Sequence, residues 1–194
     1  MKGEKKHATL SMLTCVLLVA QVVLCFTAQP AEAFAGLYTA TAAAQVMKVI
    51  LTAGAFIVVV MAQSWIERED VLRKEGEFYE LIISTLLGMY MMISSGHFLM
   101  FFLGLEMASV PMACLVAFDK YKKESAEGAA KFVLTATFSS GVMLYGISFL
   151  YGACGTLYFD DMAAKISASP LTIMGLVFFF SGLGFKISLV PFHF

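Results

Sequence analysis

The sequence predicts an all-α fold, a bundle of about six transmembrane helices that forms a single membrane domain over residues 1–194. Sixty per cent of the residues are apolar and 14% are charged, whereas soluble domains average about 45–50% apolar and about 25% charged residues. The apolar residues are grouped in blocks of about 20, the length that a helix needs to cross a bilayer. The blocks are continuous rather than alternating, and this pattern favours helices over the strands of a membrane barrel.

Six apolar blocks are the predicted transmembrane helices. In chain order they are 8–28, 43–65, 78–95, 97–117, 128–151 and 170–190. Only a few residues around Gly96 separate the third block from the fourth, so we predict a tight helical hairpin that makes these two helices neighbours.

The first block has a second interpretation. Lys5, Lys6, the apolar run and the sequence Ala31-Glu32-Ala33 together imitate a secretory signal peptide with its cleavage site. The run of about 21 residues exceeds the roughly 7–15 residues of such a peptide, which favours a retained helix. Both interpretations place Phe34 outside the cell.

Lysine and arginine are distributed unequally between the segments that join the blocks. Nine lie on one predicted side of the membrane, and the loops on the other side carry only Lys165. The basic segments are the N-terminal tail, 66–77 and 118–127, and the others are 29–42, Ser95–Gly96 and 152–169. Because cytoplasmic loops are enriched in these two residue types, we expect a cytoplasmic N-terminus and a cytoplasmic end after Pro191.

Four ionisable residues fall inside the apolar blocks: Lys48, Glu106, Lys131 and Lys186. A charge at the centre of a bilayer costs about 2.5–3.5 kcal/mol on insertion scales, so such residues usually face a protein interior and carry function. Lys48 and Lys131 lie near block ends, where a lysine can extend to the interface. We therefore predict Lys48 to be peripheral and leave Lys131 open. Because Glu106 and Lys131 are opposite charges in consecutive blocks, we predict that they pair.

The end of the last block predicts a bent or broken helix. Gly182 and Gly184 precede Lys186, and Pro191 follows it. Glycine weakens a helix and proline removes a hydrogen-bond donor, and broken helices at membrane depth are typical of ion pathways. His193 can titrate near neutral pH and pass a proton, although an interfacial histidine is an equal alternative.

Other chemistry is not indicated by the residues. The four cysteines stand far apart without a CxxC or Cys/His cluster, a spacing that supports no iron–sulfur, zinc or disulfide framework. No phosphate-binding loop or nucleophile arrangement is present, so we predict no catalytic, cofactor-binding or metal-binding residues in this chain. A net charge of -1 gives no basic surface for nucleic acid.

Five motifs occur in order along the chain. They are Glu75-Gly76-Glu77-Phe78-Tyr79, Phe102–Glu106, Glu127–Phe132, Leu144–Gly146 with Leu150–Gly152, and Gly182–His193. On these motifs, the last being the most specific, the chain from Phe34 onward resembles the subunit N family of the bacterial proton-pumping NADH:quinone oxidoreductases, respiratory complex I. The first block resembles the second helix of that family.

The resemblance implies an antiporter-like fold of 14 helices and roles for three charged residues. In the family, a glutamate on helix five pairs with a lysine on helix six, and a lysine on the broken helix seven lies on the proton path. By motif, these residues are Glu106, Lys131 and Lys186.

The resemblance also implies where the chain resides and what it assembles with. The implied location is the bacterial inner (plasma) membrane, and the implied partners are the lipid bilayer and the other membrane subunits of the complex. NADH, flavin, iron–sulfur clusters and quinone would be bound by partner subunits.

The resemblance leaves alternatives. The chain stops at Phe194, where the family continues, so we interpret it as an N-terminal fragment or a truncated product. A subunit of a multisubunit sodium/proton antiporter shares the fold, although the motifs at residues 75–79 and 185–193 look more like subunit N. A non-conducting remnant is the third interpretation.

Overall fold

The computed structural model describes residues 2–27, 29–66, 74–119 and 122–190, with only the backbone of residues 2–8. Within these ranges the chain is almost entirely helical, which confirms the predicted all-α class. The helices are α1 (Lys2–Thr27), α2 (Ala42–Ile66), α3 (Glu75–Ile93), α4 (Phe98–Val116), α5 (Lys123–Cys154), α6 (Phe159–Lys165) and α7 (Pro170–Lys186).

Six of these helices fall on the six apolar blocks, and the short α6 is additional. Among the residues that the structure describes, four stretches are long and apolar enough to cross a membrane: Thr9–Thr27 of α1 and the whole of α2, α4 and α5. Helix α3 carries Glu75, Glu77 and Glu80 in its first two turns, which shortens its apolar part. Helix α7 is apolar but has 17 residues, a rise of about 26 Å.

A β-hairpin occupies the loop between α1 and α2, where no secondary structure was predicted. Strands β1 (Ala31–Ala33) and β2 (Tyr38–Ala40) are antiparallel, and Ala33 lies opposite Tyr38. The hairpin is bonded to the turn between α3 and α4, because the Thr39 amide donates to the Ser94 carbonyl at 2.7 Å.

The same turn is also bonded to the segment before α6. The Phe98 amide donates to the Leu157 carbonyl at 2.9 Å, and the Phe159 amide donates to the Gly96 carbonyl at 3.1 Å. The three loops with few lysines therefore lie together at one end of the bundle, which we call the hairpin end.

Glycines allow two pairs of helices to pack with their backbones in contact. A Cβ on Gly104 of α4 would lie 2.6 Å from the Met92 nitrogen of α3. A Cβ on Gly182 of α7 would lie 2.6 Å from the Ser139 carbonyl oxygen of α5. The first contact closes the predicted α3–α4 hairpin, and the second brings the end of α7 against the middle of α5.

The buried apolar side chains of the described residues form three clusters, of which the smallest lies between α5 and α6. One cluster joins α1, α2 and α3 and includes Leu18, Val59 and Tyr79, while a second joins α4, α5 and α7 through Leu105, Met143 and Phe179. Large apolar side chains on the outer faces of the helices stay exposed, as expected for a surface that contacts lipid rather than water.

Candidate functional site

Glu106, Ser140 and Lys186 form a polar cluster between α4, α5 and α7. The Lys186 Nζ lies 3.1 Å from the Glu106 Oε1 and 3.2 Å from the Ser140 Oγ. The Ser140 hydroxyl also contacts the Glu106 carboxylate. The side chains of Lys186 and Glu106 are 14% and 31% exposed, so the ion pair is largely enclosed by helices.

The packing of α7 against α5 places Lys186 beside Ser140. Gly182 lies one turn before Lys186 and contacts the backbone at Ser139. Because residues four apart share a helix face, this contact directs the Lys186 side chain to the same side of α7. Glu106 reaches the pair from the middle of α4.

Helix α7 ends at Lys186, within the segment where the sequence predicts a break. The Leu189 amide donates to the Gly184 carbonyl at 2.9 Å, and Ser188 adopts a φ of 52°, so a tight turn with a left-handed residue ends the helix. The last carbonyls of a helix carry a partial negative charge, which adds to the Glu106 charge in stabilising the ammonium of Lys186. Pro191 and His193 lie outside the described residues.

Ser140 has two acceptors for one proton. Its Oγ lies 2.8 Å from the Ala136 carbonyl oxygen of the same helix, in addition to the contact with Glu106. A hydroxyl donates one hydrogen bond and accepts up to two. Ser140 therefore accepts from Lys186 while it donates either to the carboxylate or to the backbone, and rotation of one O–H bond exchanges the two states.

Lys131 does not pair with Glu106, so the predicted Glu106–Lys131 pair is wrong. The Lys131 Nζ lies 2.5 Å from the Glu127 Oε1, one turn earlier on α5, and these side chains are 73% and 66% exposed. The physical reason is helix geometry, because a lysine and a glutamate four residues apart are neighbours on one face.

A groove of about 600 Å³ runs between α4 and α5 from Glu106 away from the hairpin end. Its walls are almost wholly apolar and include Val110, Ala113, Ala129 and Val133. The groove exposes one side of the Glu106 carboxylate. The ion pair is therefore closed by α7 on one side and open along α4 and α5 on the other.

Lys48 is buried, which corrects the prediction of a peripheral lysine. It is 6% exposed, and its Nζ donates a 2.7 Å hydrogen bond to the Tyr38 hydroxyl of the hairpin. The ammonium also lies 4.8 Å from the centre of the Tyr38 ring. Sequence reasoning missed this contact because it depends on the unpredicted hairpin folding over the start of α2.

The lysine also affects Tyr38, which lies outside the helices. Burial raises the pKa of Tyr38, but the hydrogen bond from Lys48, the adjacent Ser94 hydroxyl and the charge of Lys48 together outweigh burial. The pKa of Tyr38 therefore lies below its ordinary value of 10.0.

Known proteins resemble the chain in sequence. Residues 95–194 match the family described as "NADH:quinone oxidoreductase/Mrp antiporter, TM". The NADH-quinone oxidoreductase subunit N of Phocaeicola vulgatus is 58% identical over 181 residues, which cover 93% of this chain and 38% of that protein. The subunit N of Azobacteroides pseudotrichonymphae is 52% identical over 84% of this chain and 34% of its own length. The chain thus spans well under half the length of these relatives.

Solved structures resemble the chain in fold. A chain of respiratory complex I from Thermus thermophilus with bound aureothin matches with a TM-score of 0.80 and 28% identity, over 96% of this chain and 40% of that one. A chain of the archaeal membrane-bound sulfane sulfur reductase matches with a TM-score of 0.77 and 21% identity, over 96% of this chain and 39% of that one, which shows a common fold. The family match covers more than half of the chain, and it agrees with the named relatives, so one conclusion follows: the chain belongs to the NADH:quinone oxidoreductase/Mrp antiporter family of membrane proteins.

Proposed function

We propose that this chain is part of a proton-translocating membrane subunit of a bacterial NADH:quinone oxidoreductase, and that Glu106 and Lys186 lie on its proton path. The observation that carries the proposal is the enclosed ion pair at the point where α7 ends. An intramembrane pair of this kind is costly to build, so it is typical of proton and ion pathways. The names of the relatives, all subunit N, favour this function over a sodium/proton antiporter.

The pair can couple charge movement to proton release. The Glu106 carboxylate lies 3.1 Å from the Lys186 ammonium, so the two charges compensate each other. Removing one partner of a buried ion pair costs about 3–5 kcal/mol, because the other charge is left uncompensated. Movement of the Glu106 carboxylate away from Lys186 is therefore the step that would drive the lysine proton onward along the path.

Two further residues complete the proposed path. Lys131, paired with Glu127 at the exposed part of α5, would take or deliver protons near the membrane surface. His193 would continue the path beyond Lys186, where the structure does not describe the chain. NADH, flavin, iron–sulfur clusters and quinone would reside in partner subunits, and this chain would lie in the plasma membrane with its N-terminus in the cytoplasm.

The test uses the intact complex that contains this chain, in membrane vesicles. Lys186→Ala, Lys186→Arg and Glu106→Gln are compared with Lys165→Met, an exposed lysine outside the site. We expect the three site variants to assemble but to translocate fewer protons per NADH oxidised. Arginine does not release its proton, and the neutral side chain of glutamine does not compensate the charge of Lys186. The Lys165 variant should behave as the wild type.

Three results would count against the proposal. Wild-type proton translocation in Lys186→Arg would make Lys186 a structural charge only. A wild-type complex that transfers electrons without moving protons would instead favour the non-conducting alternative, and proton movement that requires sodium would favour the antiporter.

A further inference from the structure

A second buried cation lies outside the Glu106–Lys186 pair. Lys48 is 6% exposed, and none of the ion pairs in the described ranges involves it. Its charge is balanced by the Tyr38 hydroxyl at 2.7 Å and by the Tyr38 and Tyr90 rings, whose centres lie 4.8 Å and 5.9 Å from the Nζ. A buried ammonium held by phenols alone is unusual, because buried lysines are normally paired with acids.

The hydrogen bond between the Lys48 Nζ and the Tyr38 hydroxyl can form with the lysine either charged or neutral. When Lys48 is charged, its N–H donates to the Tyr38 oxygen, and when it is neutral, the Tyr38 O–H can donate to the amine nitrogen. At the other site, a neutral Lys186 would leave the Glu106 carboxylate without its cation. Lys48 can therefore lose its proton without leaving a buried anion behind.

The position of the two residues suits exchange with water at the hairpin end. Helix α2 begins at Ala42, so Lys48 lies about 9 Å along the helix axis from that end. Tyr38 is half-buried in the hairpin and lies between Lys48 and the loops. The hydroxyl group of Tyr38 also ionises more readily than that of an ordinary tyrosine, since its pKa is lowered.

Other polar groups hold the cluster in place. The Thr52 hydroxyl donates to the Lys48 carbonyl at 2.6 Å and contacts the Tyr90 hydroxyl of α3. The hydrogen bond from Thr39 to Ser94 fixes the hairpin over α2 and α3. The titratable groups that face Tyr38 from α1 and α3 are Cys25 and Tyr90.

We propose that Lys48 and Tyr38 form a second proton-exchange site, through which protons pass between the subunit and the water at the hairpin end. In the outward step the Lys48 ammonium gives a proton to the Tyr38 oxygen while the Tyr38 hydroxyl gives its own proton to water. The amine and the phenol are both neutral afterwards, and one proton has moved. The inward step is the reverse. This inference rests on the proposed function.

The experiment uses the intact complex in vesicles, with electron transfer from NADH to quinone and proton translocation measured together. The variants are Lys48→Arg, which keeps the charge and the hydrogen bond but does not release a proton, and Tyr38→Phe, which keeps the ring and removes the relay. Lys165→Met is the matched control, because Lys165 is an exposed lysine at the same end. We expect both site variants to assemble and to lose proton translocation per NADH oxidised, while the control keeps it.

The outcomes separate this inference from the proposed function. If Lys48→Arg and Tyr38→Phe translocate protons as the wild type does, while Lys186→Arg does not, the second site is refuted and the first stands. If the Lys48→Arg complex fails to assemble, the Tyr38→Phe variant alone tests the inference. Normal proton translocation by Tyr38→Phe would show that Tyr38 does not relay protons and would refute the second site. If Lys186→Arg also translocates normally, Lys186 is removed from the proton path, whereas a wild-type complex that moves no protons refutes the proposed function itself.

Discussion

The single hydroxyl of Ser140 contacts both members of the Glu106–Lys186 ion pair. It accepts a hydrogen bond from Lys186 and directs its one proton either to Glu106 or to the Ala136 carbonyl. When Ser140 donates to Glu106, the attraction between the carboxylate and the Lys186 ammonium becomes weaker, because the hydrogen bond compensates part of the carboxylate charge. Ser140 is thus a positioning residue for the ion pair.

Replacing Ser140 by alanine tests this role. We expect Ser140→Ala to leave Lys186 with one hydrogen bond fewer, at a cost of about 1–3 kcal/mol, and to reduce the rate of proton translocation. Ser140→Thr, which keeps the hydroxyl, should restore the rate. The measurement is proton uptake into vesicles as a function of pH. The control is Ser139→Ala at the adjacent position, where the hydroxyl donates to the Ala136 carbonyl rather than to the ion pair. Equal profiles for Ser140→Ala and the wild type would rule out a positioning role.

At the scale of the helices, the site depends on how closely α7 packs against α5. Gly182 contacts the backbone at Ser139, and Gly146 of α5 makes the same kind of contact with Phe179 of α7. The backbones can approach this closely only because these positions lack a side chain. Without the approach, Lys186 would lie too far from Ser140 to donate to it.

Enlarging Gly182 should therefore disrupt the site as well as the fold. A Cβ would lie 2.6 Å from the Ser139 oxygen and 2.7 Å from the Met143 nitrogen, and backbone atoms cannot easily move aside. We expect Gly182→Ala to destabilise by about 1–3 kcal/mol. Gly141→Ala on α5, where a Cβ meets nothing within 4 Å, should be neutral or slightly stabilising. Thermal unfolding of the solubilised complex compares the two, and similar midpoints would contradict the packing argument.

The helices and the charges were predictable, but most of their contacts were not. Glu106 and Lys186 stand out in the sequence because each is a charge within a long apolar block. Their pairing joins residues 80 positions apart, and it follows from the packing of three helices, which no local pattern encodes. The opposite charge in the next apolar block suggested Lys131 instead, but that lysine pairs with Glu127, one turn away on its own helix.

The arrangement of the whole molecule agrees with the uneven distribution of basic residues. The hairpin end gathers the loops that carry only Lys165, while the described basic residues Lys74, Lys122 and Lys123 lie at helix ends on the opposite side. The positive-inside rule then predicts that the hairpin end faces away from the cytoplasm. Arg68, Arg73 and Lys120, which contribute to this prediction, lie outside the described residues.

Cysteine labelling tests the orientation directly. In a variant without the four natural cysteines, Glu32→Cys should react with a membrane-impermeant maleimide in intact cells. Lys122→Cys should react only in inside-out vesicles. Both positions are exposed, so a lack of access cannot explain a negative result. The reverse labelling pattern would invert the topology and would place the Lys48–Tyr38 site on the cytoplasmic side.

The hydrogen bonds that join the hairpin end also constrain how the protein is made. The hairpin is synthesised early, but its partner turn at Ser94 follows only after two more helices, and the segment at Leu157 follows after a further two. Until then, the backbone N–H and C=O groups of the hairpin that later bond to the turn at Ser94 must bond to water or to chaperones. The hairpin can therefore be fixed over Lys48 only once α3 and the turn at Ser94 have been made, and the complete set of bonds at the hairpin end forms only after α5.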